Sequence, residues 1–249
     1  MNILLTNDDG INAEGINVLC EILSRNHNVY MIAPNEEKSG SSCAITLREP
    51  LRVESISDTR FAVHGFPVDC VSIGINGNII PTPDLIVSGI NNGPNLGDDV
   101  FFSGTVAGAR AAFIFGISGI SISLDCPGYS DYFHDASEFL LEYIENSGKL
   151  DKEIIFFNIN YPDILKEEIL GIKYTFLGKR KYDDYFETLY KSDFHQSLQL
   201  NGTISSDEKP GSDTTEISKG YISITPMSLD CTDYSYLEKV SVLNNPLQK

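Results

Sequence analysis

Two adjacent aspartates, Asp8 and Asp9, follow the first apolar run of the chain, Ile3 to Leu5, inside the phrase TNDDG. Successive side chains of a strand point to opposite faces, so neighbouring carboxylates converge on one point only where the strand ends and the backbone turns, which Gly10 permits. Converging carboxylates suit a hard cation, although Asn-Asp-Asp-Gly is also the ordinary composition of a polar turn leading to a helix cap. Ser39 stands in the loop KSGSS after a second apolar run, Val29 to Ala33, and Asn91 stands in SGINNG after DLIV. Taken singly, each is a loop or turn residue. Taken together, at the ends of successive strands, Asp8, Asp9, Ser39 and Asn91 form an all-oxygen set that fits Mg²⁺, Mn²⁺ or Ca²⁺ and fits zinc poorly. The phrase FFSGT precedes an apolar helix, so Ser103 or Thr105 can cap it while free amides and the helix dipole face the same rim. A plain N-cap is the alternative. A cation beside an anion pocket is equipment for phosphoryl chemistry.

The elements that must position these residues are read from periodicity. Ile16, Leu19, Cys20 and Leu23 fall at helical spacing between the two apolar runs, which makes a β-α-β opening. Alternation around Leu51, Val53 and Ile56, and again around Phe61 and Val63, predicts short strands. Pro67 to Ile75 reads as a helix with proline in its first turn, and Asp84 to Val87 as a buried strand. SGINNGPNLGDDVFFSG is too rich in Gly, Asn and Asp for regular structure. Thr105 to Phe115 is an Ala-rich helix, Ile117 to Leu124 a strand, Ala136 to Tyr143 an amphipathic helix and Ile154 to Asn158 a strand. The alternation predicts a doubly wound α/β core with a mostly parallel sheet, over residues 1–170. From 171 to 249 the texture changes to Tyr and Lys segments, a polar loop EKPGSDTT and the strand-like GYISITP. This part reads as a C-terminal β-hairpin or arm, partly packed back on the core and serving oligomerisation as a homodimer or homotetramer.

The 249 residues have the apolar and charged fractions of an ordinary globular protein, with a formal net charge of -17. That balance argues against a nucleic-acid backbone as partner. It leaves room for a small phosphorylated ligand, for which a bound cation and backbone amides supply local positive potential. No basic leader and no membrane-length apolar stretch is visible, so a cytoplasmic protein without membrane contact is expected. Five scattered cysteines without CxxC spacing suggest neither a disulfide framework nor a thiolate metal site. Asn201-Gly202-Thr203 is a chance sequon in a polar loop. His27, His64, His134 and His195 lack ligand spacing. Lys38 and the basic cluster from Lys179 to Lys181 are candidates for an anion contact, with a solvated role as the ordinary alternative.

Together the phrases TNDDG, APN with KSGSS, DCV at Asp69 to Val71, SGINNGPNLGDDVFFSGTVAGA and the ending GYISITPMSLDCT resemble the SurE survival-protein nucleotidases, from residue 1 to about 233. The resemblance implies a metal-dependent phosphohydrolase acting on nucleoside 5′- and 3′-monophosphates, with short polyphosphate as a side substrate in some members. It also implies a Rossmann-like core and an oligomer built through an exchanged C-terminal arm. On matching positions the metal ligands are Asp8, Asp9, Ser39 and Asn91, and the phosphate-binding residues are Ser103, Gly104 and Thr105. Phe66 replaces the usual Thr in GTPxDCV, Phe102 a frequent Tyr and Ala111 a frequent Glu, so substrate preference transfers least.

The expected chemistry is in-line attack on phosphorus by a cation-activated water that Asp8 or Asp9 orients, with the SGT amides and Asn91 stabilising the phosphoryl oxygens. Covalent attack by Asp8 is a variant. The competing class is a non-catalytic, Mg²⁺-dependent nucleotide or phosphate sensor. A phosphorylation-receiver domain would also place an acidic pair after its first strand, but DLIVSG and ISISLDCPG offer neither the phospho-accepting Asp nor the late Lys that it needs.

Overall fold

The computed structural model describes residues 1–126, 128, 130–146 and 153–241. Its centre is a nine-stranded sheet, built from β1 (Asn2–Thr6), β2 (Asn28–Pro34), β3 (Val53–Ser57), β4 (Arg60–Val63), β5 (Leu85–Asn92), β6 (Ser118–Asp125), β7 (Phe156–Pro162), β8 (Ile172–Tyr174) and, from the C-terminal part, β11 (Ile222–Pro226). The order across it is β3-β4-β2-β1-β5-β6-β7-β11-β8. From β4 to β7 all neighbours are parallel; β3 is antiparallel to β4, and β11 is antiparallel to β7. The fold is therefore the expected Rossmann-like α/β class, with an antiparallel ribbon of β9 (Arg180–Lys191) and β10 (Gln196–Ser206) in the C-terminal part.

Alternation along β1 explains the two layers. Ile3 and Leu5 join the larger core beneath α1 (Glu14–Leu23) and α4 (Phe133–Asn146). Leu4 points the other way, to a second core with Ile32, Cys70 and Ile86 beneath α2 (Pro67–Asn76) and α3 (Gly104–Ile114). A strand buried on both faces must be apolar throughout, as ILL and LIV are. The chain runs outward from β1 to β2 and β4, then returns to lay β5 on the other side of β1. The order reverses there, and such a switch point opens a crevice at the carboxyl ends of its two strands.

Two expectations need correction. The segment SGINN is not irregular: β5 continues to Asn92, with a register irregularity between Ser88 and Asn91. Gly89 makes this possible, because a Cβ there would lie 2.2 Å from the Ile122 carbonyl oxygen. The polar loop EKPGSDTT is not all loop either. Ser212 caps a short helix, α5 (Asp213–Ser218), accepting a hydrogen bond from the Thr215 amide. The last described helix is α6 (Tyr234–Ser241). Among the described residues no helix is long and apolar enough to cross a membrane.

Candidate active site

The crevice at the β1–β5 switch point is a cleft of about 590 Å³, and Asp8, Asp9, Ser39, Asn91 and Ser103 all line it. Asp8 and Asp9 leave the end of β1, where the Asn7 side-chain amide donates to the Gly10 carbonyl (2.9 Å) and fixes the turn. Asn91 arrives on the last residues of β5. Ser39 comes from a long loop held at both ends: the Lys38 amide donates to the Asp8 carbonyl (2.6 Å), and the Ser42 amide to the Phe102 carbonyl (3.0 Å). Buried Asp69 steadies the far end of that loop, accepting from the Thr46 amide and hydroxyl (2.8 Å each).

Within the cleft Asp8 is 4% exposed. Burial pushes its carboxyl above the ordinary range, against the Thr105 hydroxyl and the Thr105 and Gly104 amides, which favour the charged form. Asp9 is pushed up to about 6, by burial first and then by the charge of Asp8, against a hydrogen bond from the Asn92 amide (3.3 Å). The Thr105 hydroxyl donates to Asp8 and lies 3.2 Å from the Asn91 side-chain oxygen. The Asn91 amide nitrogen donates to the Gly93 carbonyl (2.7 Å), so its oxygen is the atom turned toward the Thr105 hydroxyl that also meets Asp8. The Ser39 hydroxyl donates to Glu37 (2.9 Å), which leaves its lone pairs available.

Ser103 is the N-cap of α3, accepting from the Val106 amide (3.0 Å). Gly104 and Thr105 do not line the cleft; they support Asp8 from the start of α3. The basic candidates stand elsewhere. The Lys38 ammonium meets Glu36 (2.6 Å) and sits over the Phe66 ring, and Arg180 pairs with Asp99 (3.1 Å). None of the four histidines lines the cleft.

The donor set fits a hard cation. The walls include four carboxylates, from Asp8, Asp9, Glu37 and Asp99, and no Lys or Arg among the described residues. Arg180 compensates Asp99, but no Lys or Arg among the described residues lines the cleft beside Asp8 and Asp9, so an anionic substrate there is favoured by a bound cation. No group of three or more His, Cys, Asp or Glu side chains among the described residues is arranged to hold a metal. The two aspartates would therefore be completed by neutral oxygens from Ser39 and Asn91, a pattern that suits Mg²⁺ or Mn²⁺ with water in the remaining positions.

Three contributors were not legible in the sequence. Asn95 lines the cleft and is clamped by its neighbours: its amide donates to Asn160 (2.8 Å), its side chain to Ser123 (2.8 Å), and its carbonyl accepts from Asn158 (2.8 Å) and Asn160 (3.0 Å). Tyr182 reaches the cleft from β9, and Asp99 lies beside it.

Fold and site together define a class, a doubly wound α/β protein with an acidic, oxygen-lined crevice where its strand order reverses. Residues 3–184 match the family described as survival protein SurE. The chain belongs to that family. It is 39% identical over 247 residues to a protein of Leptospira interrogans named 5′-nucleotidase SurE, covering 97% of each chain. A Desulfitobacterium hafniense protein of the same name is 40% identical over 247 residues, 96% of each. The crystal structure of the SurE protein from Aquifex aeolicus matches with a TM-score of 0.82 at 33% identity, covering 98% of this chain and 100% of that one.

Proposed function

We propose that this protein is a cytoplasmic 5′-nucleotidase, a phosphoric monoester hydrolase that releases phosphate from nucleoside 5′-monophosphates with a divalent cation held by Asp8, Asp9, Ser39 and Asn91. The observation that carries the reading is the cleft, where Asp8 and Asp9 meet with no Lys or Arg among its described lining residues. The names of the relatives supply the substrate class. Bound there, Mg²⁺ or Mn²⁺, with Ca²⁺ able to occupy the same place, supplies Lewis-acid polarisation of a phosphate oxygen and a lowered pKa for a bound water.

The remaining work falls to the chain. Thr105 and the first amides of α3 hold the Asp8 carboxylate in one orientation. Asp9, less buried, orients the attacking water in the cleft. Ser103 presents the capped, positive end of α3 to the phosphoryl oxygens, and Asn91 lines the same cleft. Nucleoside 3′-monophosphates and short polyphosphate belong to the same reading as secondary substrates.

The arm of residues 171–249 builds a homodimer or homotetramer in this reading. Its support is the apolar surface of the β9–β10 ribbon, where Tyr185, Phe186, Leu189 and Phe194 are exposed.

The test is phosphate release from a panel of nucleoside monophosphates with Mg²⁺, Mn²⁺ or excess EDTA, for wild type and Asp8→Asn. Metal-dependent release that falls by about 10²-fold or more in the variant is expected. Near-normal release by Asp8→Asn would place the chemistry elsewhere. Tight nucleotide binding without release would favour a sensor.

A further inference from the structure

The floor of the cleft is carboxylate and amide, yet two aromatic rings also line it, Phe102 and Tyr182. They come from distant segments: Phe102 follows the 3-10 turn at Gly97–Phe101, and Tyr182 lies on β9. Neither ring is used by the core. Phe102 is 63% exposed and Tyr182 is 40% exposed.

Both are nonetheless held. The Phe102 amide donates to the Asp99 carbonyl (2.9 Å), and its own carbonyl accepts from Ser42 (3.0 Å). The Tyr182 hydroxyl donates to the Asp99 carboxylate, whose other oxygen meets Arg180 at 3.1 Å. Asp99 thus anchors the Tyr182 side chain through its carboxylate, while its carbonyl holds the backbone that carries Phe102. Exposed rings are costly in water, and rings with pinned anchors keep little freedom to fold away. Two such rings beside a polar floor match a ligand that is anionic at one end and a flat aromatic at the other. A cleft of about 590 Å³ falls within the ~300–1,000 Å³ of small-molecule sites.

We propose that Phe102 and Tyr182 hold the nucleobase of the substrate, and that Asp99 is the positioning residue for the Tyr182 ring; this rests on the nucleotidase reading above. Every base offers a π face, so stacking makes the site tolerant of base identity while still rejecting phosphates that carry no base. β9, from the C-terminal part, then completes a substrate site whose polar floor belongs to β1 and β5.

The experiment compares kcat/KM for AMP, CMP and base-free ribose 5-phosphate, with Mg²⁺ or Mn²⁺, in wild type, Phe102→Leu, Tyr182→Leu, Tyr182→Phe and Asp99→Asn. Thermal melts check that each variant folds. The expected result is an AMP to ribose 5-phosphate ratio that falls at least tenfold in both Leu variants and by a smaller, similar factor in Asp99→Asn and Tyr182→Phe, which keep the ring but weaken or remove its anchor. A ratio unchanged in both Leu variants overturns the proposal. If wild type releases no phosphate from any substrate, calorimetric binding of AMP and ribose 5-phosphate decides. AMP binding that weakens tenfold in the Leu variants retains the aromatic wall and removes only the nucleotidase reading. Equal affinity for the two ligands removes the wall.

Discussion

Asp9 sits at the most informative balance of forces in the cleft. Burial and the adjacent Asp8 charge raise its pKa to about 6 from an ordinary value of 3.8. Between those values the folded chain binds more protons than the unfolded chain, so stability falls as pH rises through that window. Above it, the ionised carboxylate costs the cation-free fold about 1–3 kcal/mol. Asp9→Asn should therefore unfold at higher urea concentration than wild type in EDTA at pH 7.5. Added Mg²⁺ should stabilise wild type more than the variant. A cation-free Asp9→Asn protein less stable than wild type would contradict this account. At the same scale, Thr105→Val removes the hydroxyl that orients Asp8. Its phosphate-release rate should drop by roughly 10- to 100-fold, since a misplaced catalytic group costs rate steeply.

At the scale of elements, the site depends on how closely α3 approaches the end of β1. A Cβ at Gly104 would lie 2.8 Å from an Asp8 carboxylate oxygen and 2.8 Å from the Ser41 hydroxyl. Gly104→Ala must push Asp8 aside. We expect its turnover to fall tenfold or more while its melting temperature changes by only a few degrees, because the clash falls on side chains rather than on backbone. Gly15 is the contrasting case. Its Cβ would meet the Ile90 carbonyl oxygen at 2.1 Å, backbone that cannot move without disturbing α1 and β5 together. Gly15→Ala should destabilise the fold by about 1–3 kcal/mol in urea denaturation. The glycines at these two places were visible in the sequence, but periodicity could not say which surface each one faced.

For the whole molecule, Asp213 joins the C-terminal part to the site. Its buried carboxylate accepts from the amides of Gly97 (2.8 Å), Gly178 (2.6 Å) and Thr214 (2.8 Å). The Gly97 loop carries Asp99 and Phe102, so this one side chain couples the arm to the cleft. Asp213→Ala leaves buried amides unpaired and should cost about 2–4 kcal/mol of stability, with weakened nucleotide binding as a second effect. Unchanged melting of the variant would show that the coupling is not structural. The proposed oligomer is a separate matter: light scattering of the full chain should give the mass of a dimer or tetramer, and a monomer at working concentration would remove that proposal.

What the sequence determined by itself was local. A carboxylate pair followed by glycine marks the end of β1 because only a turn lets neighbouring side chains converge. Serine before an apolar helix marks a cap because free amides need an acceptor, and Ser103 is that cap. Helical and alternating spacing marked the layers, since burial on one face or two leaves a period in the chain. The tertiary structure decided what lies side by side. Return of β5 to the far side of β1 opened the crevice, and hydrogen bonds between residues 65 apart, Asn95 and Asn160, and 116 apart, Gly97 and Asp213, shaped its walls. Such contacts leave no local period, because a polar side chain that serves a distant backbone amide has the same composition as one that serves water. For that reason Tyr182 read as part of an arm until the packing of β9 against the Gly97–Phe101 turn brought it to the cleft.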